Sequence, residues 1–208
     1  MVAKWEWAGS PPPHGWIRRL RGAWVARRSR GGPLYADRGV KIRHSKQVVF
    51  DGPAWLKEGV LIDGRSGRAG RGVHVGSGVI IRAYSYLDAY GGEISLEENV
   101  QIGTKCYIGG NAGVTVGRNT MISTGVCITS AAHGSVICEI PFVRQSERLR
   151  GVSIGENCWI AANAVVIDGV TIGANSVIGA GAVVTRTIPS GVFAAGVPAR
   201  VLGELGQV

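Results

Sequence analysis

The sequence predicts an all-β chain wound as a left-handed parallel β-helix, a solenoid of short strands. Three observations predict it: an aliphatic residue at every sixth position, small residues at fixed offsets from it, and abundant glycine. The period is clearest from Ile154 through Ile160, Val166, Ile172 and Ile178 to Val184. Shorter runs precede it at Val75-Ile81-Leu87, Leu96-Ile102-Ile108 and Val116-Ile122-Ile128. Six fits neither a helix, at 3.6 residues per turn, nor the two-residue alternation of a flat sheet. It fits a triangular coil in which each hexad supplies one strand and one corner. Three hexads make a turn, and each turn satisfies the backbone of the next.

The offsets support the same reading. Glycine follows the aliphatic residue at Gly103, Gly109, Gly117, Gly155, Gly173 and Gly179. Small residues stand four places after it at Cys106, Cys158, Ala164, Ser176 and Ala182. Glycine makes up 33 of 208 residues, more than twice the usual share of about 7%. It tolerates positive φ and close backbone approach at corners.

The breaks in the period locate the irregular parts. Nine residues separate Leu87 from Leu96 and eight separate Ile108 from Val116, so both corners carry small insertions. Twenty-six separate Ile128 from Ile154. The extra segment, roughly Thr129 to Gly151, must leave the prism as a protruding loop. A long loop on a rigid scaffold points to function, and this one contains His133.

These signals divide the chain into a basic segment over 1–50, partly helical, a β-helical domain over 51–184, and a short cap over 185–208 that ends in a short helix. The net charge of +9 belongs to the first segment. Residues 1–50 hold eleven Lys and Arg against two Asp and Glu, and the remainder holds twelve of each. Six arginines between Arg18 and Arg30, beside Trp16 and Trp24, suit a solvated cap or weak contact of 16–30 with an anionic surface. The body has no basic stripe, so nucleic acid is not an expected partner. No apolar run reaches membrane-spanning length and no signal peptide opens the chain. A cytoplasmic protein with its four cysteines reduced is expected.

The residues from Gly151 to Arg186, with Trp159-Ile160-Ala161, Gly179-Ala180-Gly181 and Thr185-Arg186, are followed by Ala195-Gly196-Val197-Pro198-Ala199-Arg200. This pattern resembles the hexapeptide-repeat acyltransferases. It is nearest the maltose and galactoside O-acetyltransferases and the O-acetyltransferases that decorate polysaccharides. The resemblance is dense over 94–202, weaker over 60–93, and absent from 1–50. It implies an acetyl-CoA-dependent O-acetyltransferase acting on a hydroxyl of a sugar-type acceptor. It implies a homotrimer whose donor lies in a groove between neighbouring subunits. The matching donor positions are Ala162, Ala180, Thr185, Arg186 and Arg200. The family's usual glycine and lysine are replaced here by Ala161 and Arg186.

The family's catalytic histidine falls on His133, within Ser130-Ala131-Ala132-His133-Gly134. A histidine that titrates near neutrality suits removal of the hydroxyl proton. Asn111 and Asp88, with Tyr90, are candidate acceptor contacts at the corner insertions. A metal enzyme on the same fold would need three histidines around zinc, and only His74 and His133 lie in the body; no metal is expected. The alternative is N-acylation of an amino sugar, free or nucleotide-linked.

Overall fold

The computed structural model describes residues 33–67, 72–134 and 137–206, with residue 17 and the strand Arg30–Gly31. The expected parallel β-helix is borne out, with three faces and about seven turns. The first face stacks Arg30–Gly31, Val48–Phe50, Gly72–Val75, Glu93–Leu96, Val114–Val116, Val152–Ile154 and Thr171–Ile172. The second runs from Leu34–Ala36 through Ala54–Leu56, Ile80–Ile81, Gln101–Ile102, Met121–Ile122 and Trp159–Ile160 to Val177–Ile178. The third stacks Lys41–Arg43, Leu61–Asp63, Tyr86–Asp88, Tyr107–Gly109, Cys127–Thr129, Val165–Val166 and Val183–Val184.

The hexad aliphatics form the core. Each face sends in such a column, for example Phe50, Val75, Leu96, Val116, Ile154 and Ile172 from the first, all buried. Full burial of such a side chain contributes about 1.5–3 kcal/mol, and the columns repeat that gain at every turn.

The structure separates three jobs within the hexad. The glycine after the aliphatic residue is needed for close approach, not for positive φ. A Cβ on Gly155 would stand 2.5 Å from the backbone nitrogen of Ala174, and one on Gly103 2.4 Å from the carbonyl carbon of Ser123. The left-handed conformation falls two residues later, at Asn99, Asn119, Asn157, Asn163 and Asn175. Asparagine tolerates that region better than most residues with a side chain. The small residue comes next and is buried. At Ser85 and Thr120 it is a hydroxyl that joins consecutive turns. Thr120 donates to the carbonyl of Gly155 at 2.8 Å and accepts from the N–H of Cys158 at 3.0 Å. Cys106 and Cys158 occupy the same slot, and burial pushes both thiols above their ordinary value.

Two boundaries differ from the sequence reading. The solenoid begins by Leu34–Ala36, within the basic segment 1–50, because Ala36, Ile42 and Phe50 already supply inward residues for the three faces. The expected helical part of that segment lies mostly outside the described residues. Among the described residues of the cap expected over 185–208, the chain forms a β-hairpin and not a helix. Val192–Gly196 adds to the second face in parallel, and Ala199–Glu204 folds back on it antiparallel. That return strand covers an edge that another chain would otherwise pair with.

Candidate active site

Every break in the period among the described turns falls at one corner. Steps from first to second face and from second to third face keep six residues. Insertions lie between the third face and the first, after Arg43, Asp63, Asp88, Gly109 and Thr129. The longest is the loop that carries His133.

The loop leaves from a firm base. Ser130 is fully buried and donates its hydroxyl to the carbonyl of Gly109 at 2.9 Å. It accepts the N–H of Ala112 at 3.0 Å. The outgoing strand Ala132–His133 pairs antiparallel with the returning strand Glu147–Arg148. His133 is exposed, with Nε2 3.6 Å from Oε1 of Glu147. Where the chain rejoins the prism, one oxygen of Asp168 accepts the N–H groups of Arg150 and Gly151, each at 2.9 Å. Sequence reasoning found His133 but not Ser130, Glu147 or Asp168. The only available signal was their position at the ends of the long break, because the partners of both limbs become visible only once the loop closes.

Asn111 lies at the same corner one turn earlier, half-buried. Asp88 lies one turn earlier again and faces its own chain. It accepts the Tyr86 hydroxyl at 2.6 Å and the Tyr90 N–H at 2.9 Å, and it is 6% exposed. Burial, then the Asp88 hydrogen bond and charge, push the Tyr86 phenol well above its ordinary value. The side chain that Asp88's corner offers to solvent is Tyr90, 52% exposed.

The donor candidates sit elsewhere. Ala162 and Ala180 stack on consecutive turns at the corner between the second and third faces, where the N–H of Gly181 reaches the carbonyl of Ala162 at 2.8 Å. Thr185 and Arg186 are exposed just past the last third-face strand. Arg200 is exposed on the return strand, with one guanidinium nitrogen 2.9 Å from the carbonyl of Ala199. Within one chain, His133 and the Ala162–Ala180 pair thus flank the third face from opposite edges. Among the described residues, the other two histidines pair with carboxylates: His44 Nδ1 with Asp63 at 2.6 Å, and His74 Nε2 with Asp51 at 2.7 Å. Among the described residues, no group of three or more His, Cys, Asp or Glu could hold a metal ion. Among them too, no helix is long and apolar enough to cross a membrane.

A solenoid of hexad turns is the architecture of the hexapeptide-repeat transferases. Comparison with known proteins agrees. The family described as bacterial transferase hexapeptide (six repeats) matches residues 151–186, and the hexapeptide repeat of succinyl-transferase matches 93–130. Nodulation protein L of Rhizobium meliloti (strain 1021) is 41% identical over 131 residues, covering 62% of this chain and 69% of that protein. WbbJ of Escherichia coli (strain K12), named provisionally for O-acetyl transfer in lipopolysaccharide biosynthesis, is 35% identical over 61% of this chain and 66% of its own length. Galactoside O-acetyltransferase of the same strain is 37% identical over 57% of this chain and 58% of its own. The chain thus spans about two thirds, or less, of these relatives. A variant of AntD, an N-acyltransferase from Bacillus cereus in complex with dTDP and coenzyme A, shares the fold at a TM-score of 0.64 and 14% identity, over 94% of this chain and 90% of that one. The chain belongs to the hexapeptide-repeat transferase family.

Proposed function

We propose that this chain is an acetyl-CoA-dependent O-acetyltransferase that acts on a hydroxyl of a sugar or polysaccharide-type acceptor. The observation that carries the reading is His133, held at the foot of the loop by Ser130 and Asp168 on either side. His133 takes the proton from the acceptor hydroxyl as its oxygen attacks the thioester carbonyl. The carbon–oxygen bond forms, the carbon–sulfur bond breaks, and the leaving thiolate takes a proton to give free coenzyme A. Arg186 and Arg200 supply charge for the donor's phosphates, and the stacked alanines Ala162 and Ala180 leave room for its arm. Asn111 meets the acceptor beside His133. The relatives named for O-acetyl transfer support this choice over N-acylation.

The site is shared between subunits of a homotrimer. The opposite placement of His133 and the Ala162–Ala180 pair supports this, because a groove between chains joins the two edges that one chain keeps apart. The outward side of the second face also supports it. Met121, Trp159 and Phe193 are aligned there and exposed, an apolar stripe of the kind that marks an interface. Use of acetyl-CoA as donor supports a cytoplasmic location for the reaction.

The test is a panel of sugars, amino sugars and nucleotide sugars with acetyl-CoA, read as thiol release and product mass. His133→Ala should lower turnover by about 10²–10⁴-fold with acetyl-CoA affinity nearly intact. Equal turnover in the variant would overturn the mechanism. Acetylation of amines alone would move the assignment to N-acyl transfer.

A further inference from the structure

The insertions at the third corner form a surface of their own. Strand ends on the third face are in register at Asp63, Asp88, Gly109 and Thr129. Two residues beyond each end stand Arg65, Tyr90, Asn111 and Ala131, one per turn. Backbone bonds tie these steps together: Gly91 N–H to the Arg65 carbonyl at 2.7 Å, Glu93 N–H to the Gly110 carbonyl at 3.0 Å, and Ser130 N–H to the Gly109 carbonyl at 3.1 Å. The result is a rigid ledge that ends at the loop of His133.

Its outer side is chemically uniform in purpose. The Arg65 guanidinium carbon lies 5.2 Å from the centre of the exposed Tyr90 ring. Arg65 itself is exposed, and Asn111 is half-buried. The buried carboxylates of Asp63 and Asp88 brace the backbone behind them, accepting the N–H of Arg65 at 3.0 Å and of Tyr90 at 2.9 Å. Tyr90 holds φ at 45°, a conformation that a bulky side chain rarely adopts. An exposed aromatic plane with a planar donor against it, and an amide on the next turn, is the chemistry that grips a pyranose: ring stacking plus hydrogen bonds to hydroxyls. The turns repeat about every 4.8 Å, close to the length of one hexose unit, so successive sugars of a linear chain meet successive steps.

We propose that this ledge is an extended acceptor track, and that the acceptor is a linear oligosaccharide or polysaccharide of at least three units. The unit to be acetylated lies at His133, its neighbour at Asn111, and the next ones over Tyr90 and Arg65. The proposal rests on the transferase reading of His133 and deepens it by naming the size of the acceptor.

The experiment separates binding from turnover. Cello-oligosaccharides and chito-oligosaccharides of one to six units are titrated into the His133→Ala protein by calorimetry, and the same sugars are offered to the unaltered protein with acetyl-CoA. Affinity in at least one series should rise about ten-fold or more from one unit to four. Arg65→Ala should remove the step from three units to four and leave two units unchanged, whereas Tyr90→Ala should weaken three units and longer. An affinity independent of length in both series, or an Arg65→Ala loss equal at every length, overturns the track. Absence of thiol release with any sugar, when binding still grows with length, would count against the transferase reading and leave the track standing.

Discussion

His133 and Glu147 are direct cross-strand partners at the foot of the long loop, with Nε2 of one 3.6 Å from Oε1 of the other. The pair joins the outgoing limb to the returning one and sets the Glu147 carboxylate beside the imidazole. Orientation of a catalytic group is worth far more in rate than in stability. Glu147→Ala should therefore lower kcat on the order of ten-fold, with acetyl-CoA affinity within about two-fold. Glu147→Gln should recover part of the loss. Steady-state thiol-release kinetics beside a calorimetric donor titration check it, and an unaltered kcat in Glu147→Ala would show that the pair orients nothing.

Gly155 shows what the glycine of the hexad is for. Its φ is ordinary, yet an added Cβ would stand 2.5 Å from the backbone of Ala174. Backbone cannot step aside as a flexible side chain can. Gly155→Ala should cost roughly 1–3 kcal/mol, as overpacking does, and lower Tm by several degrees. Gly181 offers the control, because a Cβ there would meet nothing within 4 Å although its φ is 67°. Gly181→Asn should be milder, since asparagine already occupies the equivalent corner at Asn163. Thermal melts of the two variants side by side decide the matter.

Thr120 links the backbone of two consecutive turns through one hydroxyl. It is fully buried, donates to Gly155 and accepts from Cys158. Valine has nearly the same shape and leaves both groups without a partner. Thr120→Val should cost about 1–3 kcal/mol, whereas Thr120→Ser should keep most of the stability. Urea denaturation of both variants checks it; equal losses would point to packing and not to the hydroxyl.

Much of this architecture is legible in the sequence. The step of six from Ile154 to Val184 is a direct image of the core columns. The break between Ile128 and Ile154 announced the loop, and with it His133. Other features were hidden for physical reasons. The early turns around Ala36 and Ile42 have small or partly buried inward residues and an insertion after Arg43, so the basic charge masks their period. The antiparallel return of Ala199–Glu204 has no hexad, and its proline and glycine read equally well as a loose cap. Glu147 is fourteen positions from His133, and only pairing of the limbs brings them together. That the insertions share one corner, and so build a ledge, requires knowing which face each aliphatic residue belongs to.

Asp63 supplies a pH-dependent contribution at the ledge. Burial acts to raise its carboxyl pKa. The His44 hydrogen bond, the Arg65 N–H and the charges of both residues outweigh that and hold it below the ordinary 3.8. A carboxyl depressed in the folded state stabilises the protein above its unfolded pKa, and the contribution is lost as pH falls through the folded value. Asp63→Asn keeps the shape and removes the charge. Its Tm should therefore lie below that of the unaltered protein at neutral pH. The gap should begin to close as pH falls below about 4, where the unfolded carboxyl takes up its proton, and go on closing as pH falls through the lower native value. Melting curves of both proteins across pH 3–8 test this, and a gap that stays constant over the range would show that shape, not charge, is what Asp63 contributes.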